Sequence, residues 1–387
     1  MHFIKVHNFF GKIIFLLQYI GVWYRGDEAT TVRELITKWF YCVYYSLLVV
    51  SLAMGAVKSE NGDEAIFLIQ IAVTISVLAF KLCVLIWKQK QILALFNQIS
   101  IFSIKYDEDL TMFNDKIESF LKFVKVCLIS FAVAVFFEIA VAPFLNSENT
   151  LFFAIAFPLD WKQNIITFWI ANIFLFTEIG LGVAPLLFAI TSWYLMLICS
   201  LRYKILQGEL RNLGRTSDGG RVDASDEASH KAFSQDLKSA IDRHLLLRGL
   251  IDELDDFCSS LFFIQFGTGS LFICGSIYCL AFNVSNNLVE SLIHAYILVY
   301  NISEIFMITY FGNEIMLSSD SLTYSLFESD WVDQPQSTKR SVMVFAEYLK
   351  QSHQLMVAKL YPLNLATFTE IIRSAYSMFN ILKNLKN

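Results

Sequence analysis

Charge is scarce in this 387-residue chain: 17% of its residues are Asp, Glu, Lys or Arg, while 56% are hydrophobic and 36 are phenylalanine. A soluble domain carries about 25% charge and about 45–50% apolar residues, so a water-facing fold cannot hide this surplus. With a mean hydropathy of +0.52, the chain reads as a membrane protein. The usual signatures of chemistry are missing as well. There is no His-Glu-x-x-His, no Gly-x-Ser-x-Gly, no Gly-rich phosphate loop and no basic run, so nothing points to an enzyme, a nucleotide or a nucleic-acid partner. The six histidines are scattered, and the seven cysteines sit in or beside apolar segments rather than as a spaced set in a loop. They read as small core residues, with neither disulfide, metal nor cofactor behind them.

What the chain does have is long apolar runs. A membrane span needs about 20 predominantly apolar residues. Six segments meet that: Trp39 to Val57, Ala65 to Trp87, Val126 to Leu145, Ile165 to Leu201, Cys258 to Phe282 and Leu288 to Leu317. The fourth and sixth exceed the bilayer thickness and should tilt or project into water. The closing stretch supplies a seventh, less apolar span. Ahead of the first, Ile13 to Trp23 is bracketed by Lys12 and Arg25 with no small-x-small site after it. It reads as an interfacial helix, not a cleaved leader.

Orientation follows from Lys and Arg, which accumulate on the cytoplasmic side. Residues 1–38, 88–125 and 202–256 together hold 20 of them, while the alternate connections hold only Lys58 and Lys162. The expected fold is therefore an all-α, seven-helix membrane protein with a cytoplasmic N-terminus and an extracellular C-terminus. Helices four to six extend into a cytoplasmic anchor layer that could hold subunits together. The Gly/Ser/Asp-rich stretch Leu213 to His230 is the one long polar loop. Asn283-Val-Ser285 forms a glycosylation sequon in an outside connection. A G-protein-coupled receptor would need the opposite orientation and an Asp-Arg-Tyr that is absent. A secondary transporter would need a broken helix, and Gly180, Gly182 and Pro185 in span four leave that reading open.

Ionisable residues within spans are functional candidates by default. Lys81, near the inner end of span two, reads as a snorkelling side chain. Glu138 and Glu178 fall in the outer halves of spans three and four, where a vestibule would solvate them. Glu304 and Glu314 read as bonding neighbouring helices or reaching cytoplasmic water, and His294 as interfacial or a ligand contact. Aromatics also gather in the outer halves, most of them as a lipid-facing belt.

Three stretches carry a resemblance. "TYFGNEIMLSSDSLTYSLFESDW" (Thr309 to Trp331), "KLYPLNLATFTEIIRSAYSMFNIL" (Lys359 to Leu382) and "FPLDW" (Phe157 to Trp161) resemble the insect odorant receptor family. The resemblance covers the whole topology, and its motifs are specific in the last eighty residues or so. Length and character look most like an odour-tuned receptor of a fly or mosquito, not the shared coreceptor, whose cytoplasmic loop is longer.

The resemblance implies a ligand-gated cation channel, built as a heterotetramer with the coreceptor in the plasma membrane of a sensory dendrite. A small hydrophobic volatile, with aromatic ones included, is then expected between spans two, three, four and six, against Val73, Ser76, Phe80, Phe136, Ile139, Phe174, Tyr296 and Tyr300. The organisation becomes a cytoplasmic segment with the interfacial helix over 1–38, six spans over 39–317, a cytoplasmic connection with the first part of helix seven over 318–361 and a pore-lining helix over 362–387. In the family the constriction lies three residues beyond a Tyr, here Tyr376, which gives Phe379, with Leu382 and Lys383 at the outer mouth. Ala375 stands where Ser or Thr is usual. Phe368, Ile372, Ala375 and Phe379 are placed on the pore axis, and the polar side of that helix is packed against its own subunit.

Overall fold

A computed structural model describes residues 2–4, 8–24, 32–59, 62–136, 151, 155–156, 164–215, 227–281 and 288–386. Twelve helices run through them: α1 (Asn8–Tyr19), α2 (Val32–Lys58), α3 (Gly62–Trp87), α4 (Gln89–Ser100), α5 (Asp107–Phe136), α6 (Ile165–Leu181), α7 (Val183–Arg211), α8 (Glu227–Ala281), α9 (Leu288–Asp320), α10 (Leu322–Phe327), α11 (Gln336–Leu349) and α12 (Leu365–Lys386). Two short antiparallel pairs complete it: β1 (His2–Ile4) with β2 (Phe102–Ile104), and β3 (Met356–Val357) with β4 (Tyr361–Pro362). α2, α3, α5, the α6–α7 pair, α8 and α9 are long and apolar enough to cross a membrane. The 22 residues of α12 add a seventh element, about 30 Å long at 1.5 Å per residue.

Span four is where sequence and structure differ most. The chain turns at Gly182, and α7 then continues to Arg211, well past the expected end at Leu201. Every residue from Ala184 to Leu201 is buried. A helix apolar on all sides belongs inside protein or lipid, and here protein encloses it. Phe257 of α8 marks the level: Phe188 of α7 packs edge-on against its ring at 6.2 Å, and the Lys88 ammonium at the end of α3 lies over it at 5.3 Å. Asp252, Glu253, Asp255 and Asp256 precede Phe257 on the side that the charge count assigns to the cytoplasm. That level is the inner edge of the membrane, so the second half of α7 lies in water-surrounded protein. There hydrophobic burial stabilises by about 25 cal/mol per Å², a gain that lipid-buried helices lack.

This cytoplasmic layer is cross-braced. The Lys204 ammonium pairs with Glu314 at 2.6 Å, Gln207 donates to the Ser318 carbonyl at 2.6 Å, and Arg211 pairs with Glu328 at 2.6 Å. Tyr203 and Asp252 both bond the His353 ring, each at 2.9 Å. α8 is one continuous helix of 55 residues, so its outer half is the fifth span and its inner half is a strut of this layer. α1 also joins it. Phe10, Ile13 and Leu17 are buried, Phe10 stacking on Tyr194 at 3.7 Å, while Phe15 and Tyr19 face outward. The helix expected at the membrane interface thus spends its apolar face on the protein. The helix of span three begins well ahead of the expected span, at Asp107, where Asp109 lies against Gly208 in the cytoplasmic layer; the part beyond Phe136 that includes Glu138 and Ile139 lies outside the described residues, as do Asn283 and Phe157 to Trp161.

Candidate ligand pocket and pore helix

α3 has two working faces. Ile66, Ile69, Val73, Ser76 and Phe80 recur at three- and four-residue spacing and form a stripe that is exposed except at half-buried Ser76. The adjoining flank is tied to α8 by Gln70, whose amide donates to the Ser276 hydroxyl at 2.6 Å. On α9, Tyr296 is partly exposed and Tyr300, one turn on, is half-buried. Phe67 meets His294 edge-on at 5.0 Å, and Lys81 pairs with Glu304, so α3 and α9 are joined above and below this region.

A separate core cluster fills the outer half, with Leu48, Leu52, Phe67, Leu68, Phe168, Leu175 and Ile297 at its centre. Phe174 packs on its edge and meets Tyr44 of α2 edge-on at 5.8 Å. Of the residues expected to meet ligand, Val73, Ser76 and Phe80 share one face of α3, Tyr296 and Tyr300 lie one turn apart on α9, and Phe174 borders the outer cluster. Phe136 is exposed at the end of α5. Ile139 lies outside the described residues.

The charged residues depart from expectation in two ways. Lys81 does not snorkel. Its side chain is buried, its ammonium paired with Glu304 Oε1, while Gln265 of α8 donates to Glu304 Oε2 at 2.8 Å. Seven residues above Lys88, the pair sits about 10 Å inside the membrane edge, too deep for the lysine to gain by reaching back toward water once a carboxylate is at hand. Glu178 is likewise not in a solvated vestibule. It is fully buried on α6, ten residues before Phe188, and neither carboxylate oxygen has a hydrogen-bond partner among the described residues. Gln70, Gln265 and Ser276 were not anticipated. A scan for ionisable groups passes over neutral polar side chains, although a glutamine inside an apolar run raises the same question of who satisfies it.

α12 is set by a clipped hairpin. Asp255 accepts from the Met356 amide at 3.0 Å, and the Ser259 hydroxyl accepts from the Ala358 amide at 2.8 Å. Ala358 and Lys359, at φ 50° and 59°, turn the chain through the left-handed region. Asn364 then caps the helix by accepting from the Thr367 amide at 3.0 Å. Ala375 is fully buried, and Phe368, Ile371, Ile372, Met378 and Phe379 pack on the main core. Thr369, Glu370, Arg373, Tyr376, Ser377 and Lys383 are exposed, and nothing is described of the Leu382 side chain. The resemblance implies that the polar side packs against the subunit; the structure packs the apolar side there. The reason is volume: Phe306 and its neighbours on α9 offer an apolar surface that only the Phe368 side can fill without stranding polar groups.

The family model described as 7tm Odorant receptor matches residues 61–376. This chain belongs to that odorant receptor family. Odorant receptor 23a of Drosophila melanogaster is 24% identical over 345 residues, covering 88% of each chain. Odorant receptor 59a of the same organism is 25% identical over 255 residues and 62% of each. Among solved structures, the insect olfactory receptor OR5 from Machilis hrabei superposes with a TM-score of 0.76 over 97% of both chains, at 15% identity. Its complex with eugenol gives the same TM-score at 14% identity. The chain is thus a multi-pass membrane receptor of the seven-helix olfactory fold and not an enzyme.

Proposed function

We propose that this odorant receptor is an odour-tuned subunit that assembles with a coreceptor, as a heterotetramer in the plasma membrane of a sensory dendrite, into an odorant-gated cation channel. The observation that carries the channel is α12. A membrane helix that packs its apolar side into its own subunit and leaves Thr369, Glu370, Arg373 and Ser377 exposed needs water or another subunit on that side. A pore axis supplies both. We therefore turn the polar stripe, centred on Arg373 and Ser377, toward the pore and neighbouring subunits, with Phe368, Ile372, Ala375 and Phe379 as its packing support.

The ligand reading rests on the exposed stripe of α3 and on Tyr296 and Tyr300 of α9, two helices joined at Phe67–His294 and Lys81–Glu304. A small apolar volatile covering Val73, Phe80 and Tyr296 gains about 25 cal/mol per Å² buried, which gives modest affinity and selection by shape. Ser76 and Tyr300 supply the few polar contacts such a pocket uses. The eugenol complex of the Machilis hrabei receptor supports a small-molecule ligand. Opening requires that the ligand bind the open state better than the closed one. The test is current recorded from cells expressing the chain with and without a coreceptor, across a volatile panel. Evoked current with the coreceptor is expected, with a dose response moved by Tyr296→Ala. Silence across the panel with both chains at the surface overturns the channel reading.

A further inference from the structure

Three helices meet at one buried polar point. Lys81 comes from α3, Gln265 from α8 and Glu304 from α9, and none has more than a few per cent of its surface exposed. Glu304 accepts from both others, one on each carboxylate oxygen. In an apolar surround an ionised carboxylate is costly without such partners, so the three helices are held together wherever Glu304 sits. The arrangement is also incomplete. Among the described residues the Gln265 carbonyl oxygen has no hydrogen-bond partner, and the Lys81 ammonium carries three N–H groups, one of which goes to Glu304. A displaced Glu304 therefore leaves Lys81 a second acceptor within the same cluster, which is what a two-position element requires.

The point also lies between the Tyr296–Tyr300 side of α9 and the contact of α9 with α12. Tyr300 is one turn before Glu304 and interacts with it, and Phe80 adjoins Lys81. In the other direction Phe306 follows Glu304 by two residues and meets Phe368 of α12 edge-on at 5.5 Å. Ile305 is pressed into α8 at Gly269, where an added Cβ would lie 2.5 Å from its Cδ1. The Phe306–Phe368 contact therefore joins the Glu304 region of α9 to α12.

We propose that Lys81, Gln265 and Glu304 form a latch that holds α9 to α3 and α8 in the closed receptor, and that ligand beside Tyr300 releases it and shifts α12 through Phe306 and Phe368. The proposal rests on the channel reading given above. Removing the latch lowers the cost of opening without touching ligand. The test uses the full chain with its coreceptor, scoring resting and evoked current per surface receptor against a panel of volatile alcohols, esters, ketones and phenols. Lys81→Met with Glu304→Met removes both charges together, leaving no lone buried ion. A several-fold rise in the resting fraction and a lower half-maximal concentration are expected, both returning toward wild type in the exchanged pair Lys81→Glu with Glu304→Lys. If the double methionine chain stays off the surface, Gln265→Met, which leaves the ion pair whole, decides in its place with a smaller shift in the same direction. Wild-type resting fraction and dose response in whichever of these reaches the surface overturn the latch alone. A wild-type chain silent with the coreceptor overturns the latch together with the channel reading.

Discussion

The ring of Phe368 stands edge-on to Phe306, centroids 5.5 Å apart, and this contact turns the apolar side of the last helix into its own subunit. Ala375, two turns on, is fully buried in the same direction. If the exposed side faces the pore, cysteines at Arg373 and Ser377 will react with a charged thiol reagent added from outside and reduce evoked current. Cysteines at Ile372 and Ala375 will react at least tenfold more slowly. Fast modification at Ile372 or Ala375 with silence at Arg373 and Ser377 would restore the reading from resemblance, in which Phe379 closes the pore and Phe379→Ser raises resting current.

Amphipathicity alone finds both faces of α12, and polarity alone would have sent Arg373 and Ser377 to water. What sequence cannot supply is the surface that the other face meets. Phe306 is separated from Phe368 by the α10–α11 segment and the β3–β4 hairpin, so no periodicity within α12 reports on it. The same limit explains span four. Ala184 to Leu201 is apolar enough for lipid, and only the surrounding helices of the cytoplasmic layer show that protein is its solvent. By contrast, the six spans and the charge asymmetry were plain in the residues, because lipid imposes length and polarity on any chain that crosses it. The buried pair of Lys81 and Glu304 lay between these cases. Both residues are ionisable groups within apolar runs, but their contact joins positions 223 apart in the chain.

Gly312 shows how closely α9 and the entry to α12 approach. A Cβ there would fall 2.3 Å from the Leu363 carbonyl oxygen, a backbone atom that cannot rotate away. At Gly269 the obstructing atom is the far end of the Ile305 side chain. Gly312→Ala is expected to destabilise by about 1–3 kcal/mol through overpacking and to lower the melting temperature of detergent-purified receptor. Gly269→Ala, relieved by a rotamer change at Ile305, should cost less than half as much. Equal effects at the two glycines would mean that the hairpin before α12 moves as freely as a side chain.

His353 predicts a pH dependence. Its ring lies between Tyr203 and Asp252 at 2.9 Å each. Burial lowers its pKa below the usual 6.5 and outweighs the opposing pull of Asp252. A depressed histidine stabilises the fold while it is neutral. That contribution is present above pH 6.5, where both folded and unfolded chains are unprotonated, and is lost as pH falls through the folded value, because the unfolded chain takes the proton first. Thermal stability should therefore decline from pH 7 toward pH 5, and His353→Asn should flatten that slope. A slope identical in the variant would assign the acid sensitivity to other groups.

Glu178 is the one carboxylate of the described spans that is fully buried with both oxygens lacking hydrogen bonds. It stands one turn before Gly182, beside Tyr45, whose hydroxyl would lie 3.6 Å from a Cβ at that glycine. An unsatisfied buried polar group costs about 1–3 kcal/mol, and its replacement by an apolar side chain of like volume removes the cost. Glu178→Leu should raise the melting temperature of the purified receptor, while Glu178→Lys, with a longer cation in the same enclosed space, should keep the chain off the cell surface. If Glu178 serves gating or ligand contact instead, stability and response will separate: the leucine variant will melt higher and lose evoked current. If it melts lower, the carboxylate is bonded in the assembled receptor, and the partner must come from outside this chain's described residues.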